Sequence, residues 1–137
     1  MQIPMPDHSA ALHIAGSGAN EIRKAQQFWD ISQARNTSRA VFGAFCESLA
    51  TGGDINSGGA PQVVGLRRIG PAMTIGVVYK GRRYIAGRSV SPSEAESMTA
   101  LPWSNELFEI VDPKRKKRRV GAQVHLPRIG DPAQRHI

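Results

Sequence analysis

The sequence holds a single cysteine, Cys46, in 137 residues, so an internal disulfide is excluded and no Cys-rich metal framework exists. Aromatic side chains are scarce at 6%, while 14 Gly and 9 Pro predict many turns, which leaves aliphatic and small side chains to build the core. No apolar run approaches the roughly 18 residues of a membrane-spanning helix, and no charged segment followed by an apolar stretch opens the sequence. A cytoplasmic protein without membrane contact is expected. At 40% hydrophobic and 21% charged residues, the composition fits one small domain. That domain is expected over residues 10–126, between a flexible lead-in at 1–9, marked by Pro4 and Pro6, and a frayed tail at 127–137.

Acidic residues are also few, 11 against 18 Lys and Arg, for a net charge of +7. Six of the 18 form one run, Lys114-Arg115-Lys116-Lys117-Arg118-Arg119, which leaves 12 basic against 11 acidic residues in the rest of the chain. The excess is local. Between Asp54 and Glu94 there is no acidic residue at all, yet Arg67, Arg68, Lys80, Arg82, Arg83 and Arg88 fall there. Both features can feed one positive face.

Hydrophobic spacing orders the chain into elements. Ala10 to Ala15 read as a short apolar strand, broken by Gly16-Ser17-Gly18. From Asn20, taken as an N-cap, Ile22, Ala25, Phe28 and Trp29 recur at helical spacing, which predicts a helix over about 20–34. Val41, Phe42, Phe45, Cys46 and Leu49 predict a second helix over about 38–50, stopped by Gly52-Gly53. After a turn-rich loop at 54–61, strands are predicted at 62–69, 73–79 and 82–90, joined by Gly70-Pro71 and Lys80-Gly81 as an antiparallel meander. Ser91-Pro92-Ser93-Glu94 has the form of a capping box with proline at the first helical position, so a short helix is expected at about 92–99. Leu107 to Val111 and Val120 to Leu126 are β-like, with the basic run as the tip of the hairpin between them. The fold class expected is α+β, an antiparallel sheet of about five to six strands with two main helices packed on one face and one short helix.

The chemistry-bearing residues form few constellations. Gly16-Ser17-Gly18 before a helix can present backbone N–H groups to an anion, but it lacks the later glycine and lysine of a phosphate-binding loop, so a tight turn is the simpler reading. His8, His13, His125 and His136 are scattered without metal-ligand spacing. Cys46 lies on the apolar face of the second helix, where a thiol behaves as a small buried hydrophobe. The basic run resembles a nuclear localisation signal or a phosphate-binding patch, and reads equally as a solvated hairpin tip. Nothing aromatic is interleaved with it, so contact with nucleic acid there would be to phosphates rather than by base stacking.

One linear order is more informative than these motifs. A strand, Ala15-Gly16-Ser17-Gly18, two consecutive helices, Ser57-Gly58-Gly59-Ala60-Pro61-Gln62 and further strands at Val63 to Leu66, Thr74 to Tyr79 and Tyr84 to Gly87 follow one another. Over about residues 10–90 this resembles the C-terminal part of proteasome-type Ntn-hydrolase subunits. The resemblance implies an αββα sandwich and an N-terminal Thr, Ser or Cys nucleophile. Here the sequence opens with Met1-Gln2 and lacks the early strands that carry that nucleophile, so no catalytic residue transfers to any position of this chain.

The leading expectation is a binding or structural module without a catalytic centre, cofactor or metal, acting as a homodimer because its sheet needs further covering. A sequence-nonspecific nucleic-acid or polyanion binder is the alternative, using Arg67, Arg68, Arg82, Arg83, Lys114, Arg115, Lys116, Lys117, Arg118 and Arg119. A third reading is an enzyme with a small-molecule pocket that sequence motifs do not reveal.

Overall fold

Polar side chains decide where the first main helix ends and where the second begins. In the computed structural model, which describes residues 6–54, 56–66, 69–98 and 100–128, these are α1 (Ala19–Asp30) and α2 (Ser38–Thr51). Asn20 is not the cap of α1 but its second residue: Gly18 stands at the N-cap without a side-chain bond, and Asn20 Oδ1 accepts from Arg23 Nη1 at 3.2 Å. The helix stops at Asp30, short of the predicted residue 34, because Ser32 competes for its last carbonyls. Ser32 Oγ donates to the Trp29 carbonyl at 2.7 Å and accepts from Ala34 N at 3.2 Å. Thr37 then caps α2 by accepting from Ala40 N, and Gly52 closes it in the left-handed conformation.

The chain divides into two compact units, residues 1–58 with 126–137 and residues 59–125, and the division falls within the span that composition reads as one domain. In the helical unit the core cluster is Ala25, Trp29, Ala34, Ala40 and Ala44. The apolar stripe expected on α2 is only partly buried: Phe42 is buried, but Val41, Phe45 and Leu49 are intermediate. Ala40, Gly43, Ala44 and Glu47 are buried instead, at the i, i+3, i+4, i+7 positions of one face. Small residues win that face because the Trp29 ring needs the room. A Cβ on Gly43 would stand 2.4 Å from Trp29 Cζ2.

The sheet unit follows the predicted meander more closely. Strands β1 (Val63–Gly65), β2 (Met73–Tyr79), β3 (Arg82–Ile85) and β4 (Arg88–Ser89) are antiparallel in that order, and Tyr79 pairs with Arg82 across Lys80-Gly81. Both turn residues have positive φ, +49° and +77°, the geometry that matches the twist of a two-residue hairpin. Helix α3 (Pro92–Ser97) carries the full capping box, with Ser91 Oγ accepting from Glu94 N and Glu94 Oε1 accepting from Ser91 N. It returns the chain to β5 (Trp103–Asn105), which runs parallel to β2 and makes the sheet five-stranded. The α+β class stands, with this one parallel strand as the departure from an all-antiparallel sheet. Trp103 seats on β2 where Gly76 leaves space, since a Cβ there would lie 2.4 Å from Trp103 Cδ2. Around it cluster Val78, Val90, Ala95 and Val111.

The single strand expected at 82–90 is instead the hairpin of β3 and β4, broken at Ala86-Gly87 with φ +49° and +79°, and residues 107–109 carry none of the strand expected at 107–111. Two further expectations fail outright: residues 10–15 carry no strand, and neither do 120–126. In the second case Gly121 has φ +85° and Ala122 N bonds back to the Arg119 carbonyl, so the chain turns where it was read as extended. The observed ribbon lies earlier, β6 (Val111–Asp112) paired with β7 (Lys117–Arg118). The frayed tail expected from 127 also needs correction at its start. Arg128 is held at the buried Glu47 carboxylate, donating from Nε to Oε2 at 3.1 Å and from Nη2 to Oε1. The remainder of that tail, and residues 1–5 of the lead-in, lie outside the described residues.

Candidate polyanion interface

Dividing the charge between the two units shows where the excess sits. Residues 1–58 with 126–137 hold six basic and six acidic residues, whereas 59–125 hold 12 basic and five acidic, so the sheet unit carries the entire +7.

Within that unit, hydrogen bonds bring together two groups that are some 30 residues apart in sequence. The Arg83 guanidinium forks across two successive carbonyls of the basic hairpin, donating from Nε to Pro113 O and from Nη2 to Lys114 O at 2.7 Å. Lys116 Nζ reaches back to the carbonyl of Gly81 at 2.8 Å. The β2–β3 turn and the β6–β7 turn are thereby tied to each other. The loop 113–116 is shaped by Asp112, whose Oδ1 accepts from Lys114 N at 2.9 Å and whose carbonyl accepts from Lys116 N at 2.7 Å. Lys116 takes the left-handed conformation, φ +59°.

The basic run is therefore partly turn and partly strand. Lys114, Arg115 and Lys116 stand at the turn, Lys117 and Arg118 form β7, and Arg119 N pairs with the Ile110 carbonyl; all six are exposed. Arg118 Nη1 donates to the Ala122 carbonyl at 2.5 Å. Lys114 Nζ lies 3.6 Å from Glu96 in an exposed pair of small energetic value. Arg82, Arg115, Lys117 and Arg119 make no side-chain hydrogen bond or ion pair among the described residues. Arg67 and Arg68, the remaining sequence candidates, lie outside the described residues.

The acids of the unit do little to neutralise this surface, because most are engaged elsewhere. Glu106 Oε1 accepts from Lys80 N at 2.5 Å, Glu109 accepts from Asn105 Nδ2 and His125 N, and Glu94 serves the α3 cap. The Ser91 N–H, followed by the Arg88 guanidinium, holds the Glu94 carboxyl below the usual carboxylate range. No protein-family description, curated protein or solved structure matches this chain.

Other chemistry-bearing groups are accounted for locally. In the helical unit Ser17 Oγ and Ser57 Oγ both donate to Asp54 Oδ2, at 2.7 and 2.6 Å, so the hydroxyl of the Gly16-Ser17-Gly18 turn is engaged by a carboxylate rather than offered to an anion. Those hydroxyls, Ser57 foremost, hold the Asp54 carboxyl below its ordinary range. Cys46 is buried, and among the described residues no group of His, Cys, Asp and Glu is placed to hold a metal. A pocket of about 410 Å³ opens beside Phe28, Trp29, Ile31, Leu126 and Pro127. Sequence reasoning missed its wall and the Glu47–Arg128 pair behind it, since the partners are 81 residues apart. The one legible signal was Glu47 itself, an acid on the buried face of a helix.

Proposed function

We propose that this chain is a binding module whose ligand is a polyanion, nucleic acid foremost, held at the basic end of the sheet unit. The observation that carries the reading is the Arg83 and Lys116 tie, which makes one surface of two basic segments distant in sequence. Exposed Lys and Arg side chains bind phosphates by releasing condensed counterions, a sequence-independent mechanism with steep salt dependence. With no base-reading aromatic or amide array among the described residues there, affinity should depend on charge and not on base order. A mobility-shift titration at low salt tests this. Retardation that is equal for unrelated sequences and is lost between 50 and 200 mM salt, about the range over which such contacts weaken, supports the reading. Absence of retardation for both duplex and single strands removes it.

We also propose self-association, supported by Val64, Leu66 and Ile69, which are 65%, 85% and 89% exposed on and after β1. Sedimentation that finds only monomer at high micromolar concentration would count against it.

A further inference from the structure

The cations of the basic end divide into two kinds. Arg83 and Lys116 donate to backbone carbonyls and hold the two turns together, while Arg82, Arg115, Lys117 and Arg119 are exposed and make no side-chain hydrogen bond or ion pair among the described residues. From this division we infer that the ligand is double-stranded nucleic acid, gripped along its phosphates by Arg82, Arg115, Lys117 and Arg119, with Arg83 and Lys116 as positioning residues. The inference rests on the polyanion reading above and narrows it to one ligand class.

Two observations favour a duplex over a single strand. The four aromatic residues of the unit are all withdrawn: Tyr79 and Trp103 are buried, and Tyr84 and Phe108 are half-buried. Single-strand binders depend on exposed aromatic faces on which bases stack, and none is offered here. The second is rigidity. The Arg83 fork and the Lys116 bond hold together the two turns whose backbone carries the exposed cations, which suits a stiff ligand whose phosphates already stand at regular spacing. A flexible chain must pay conformational entropy to adopt that spacing. Lysine cannot reproduce the fork, because its ammonium is a point charge without a planar pair of donors.

The experiment measures binding of a labelled mixed-sequence DNA duplex, of one of its strands alone, and of heparin, by fluorescence anisotropy across a salt series. With four phosphate contacts the slope of log K against log salt should be about −3.6 for the duplex. Each of Arg82→Gln, Arg115→Gln, Lys117→Gln and Arg119→Gln should lessen it by about 0.9. Arg83→Lys keeps the charge, so it should lower duplex affinity selectively and bring it toward that of the single strand. A merely structural role would weaken both ligands alike. Trp103 emission, read in a Trp29→Phe background, checks that each variant keeps the fold of the sheet unit. Single-strand or heparin affinity equal to or above that of the duplex overturns the assignment and leaves the polyanion reading standing. An unchanged duplex preference in Arg83→Lys overturns the positioning role. Failure of all three ligands to bind sinks this inference and the broader reading together.

Discussion

The two units solve the same packing problem with different polar chemistry. Each has a nearly fully buried tryptophan, Trp29 at 3% and Trp103 at 2% exposure, laid over a glycine whose Cβ would collide with the ring. A buried indole N–H needs an acceptor. In the sheet unit Trp103 Nε1 donates at 3.1 Å to the carbonyl of Met98, five residues away, a neutral acceptor supplied by the turn after α3. In the helical unit Trp29 Nε1 donates at 2.8 Å to the Glu47 carboxylate, and that buried charge requires Arg128 from a distant part of the chain. The electrically neutral unit thus buries an ion pair, and the unit that carries all of the net charge keeps its described cations exposed apart from the half-buried Arg83. Burial of charge follows from what one side chain must satisfy, and has no relation to the net charge around it.

The sharpest way to break this comparison is to remove one partner of the ion pair. Arg128→Ala removes the guanidinium that faces the buried Glu47 carboxylate and should cost about 3–5 kcal/mol. Replacing Glu47 and Arg128 together with Leu and Met should recover part of that loss, since two desolvated charges disappear at once while the Trp29 N–H loses its acceptor. Met98→Ala, the nearest equivalent in the sheet unit, keeps its carbonyl and should cost only ~1–2 kcal/mol of packing. Urea titrations followed by Trp29 emission in a Trp103→Phe background, and the converse, read the two separately. Equal losses for Arg128→Ala and Met98→Ala would erase the distinction.

A smaller effect sharpens it further. Gly43→Ala and Gly76→Ala introduce the same collision, a Cβ 2.4 Å from an indole carbon. Overpacking of this kind costs about 1–3 kcal/mol. Alanine in a helix interior regains about 1 kcal/mol over glycine, a gain that the strand position lacks in comparable measure. Gly76→Ala should therefore be the more damaging. Thermal melts of the two variants that show the reverse order would mean that the Trp103 ring can slide on its strand while Trp29 is locked.

The smallest effect is on acid stability. Asp54 and Glu94 each have a carboxyl held below the ordinary range in the folded chain, by the Ser57 and Ser17 hydroxyls in one unit and by the Ser91 N–H and Arg88 in the other. A depressed folded value means that the carboxylate contributes stability above the usual carboxylate range, and that the contribution is lost as pH falls through the depressed value. Ser57→Ala should raise the Asp54 titration and leave Glu94 unmoved, read by carboxyl carbon shifts in an NMR pH series. Movement of both, or of neither, would contradict local control by these hydrogen bonds.

Local signals were legible wherever the deciding partner is close in sequence. The capping box at Ser91 to Glu94, the Lys80-Gly81 hairpin, the strand at 73–79 and the helix from Ser38 all rest on contacts within a few residues, so composition and spacing are sufficient to read them. Errors arose where a distant group outbid the local pattern or a nearby hydroxyl redirected it. The large residues of α2 read as its buried stripe, yet the Trp29 ring selects Ala40, Gly43 and Ala44. Ser32 ended α1 early, and the turn at Gly121 displaced the expected strand.

The basic surface shows the same boundary. The sequence by itself determined how many cations there are and that six of them are adjacent, because charge is a property of residue type. Only the tertiary structure decided that Arg83 and Lys116 spend their donors on carbonyls of the opposing turn, joining two segments that no spacing rule connects. It also decided that Glu47 meets Arg128 across 81 residues. Such pairings depend on where the backbone carries each donor, and a linear pattern contains no measure of distance through space.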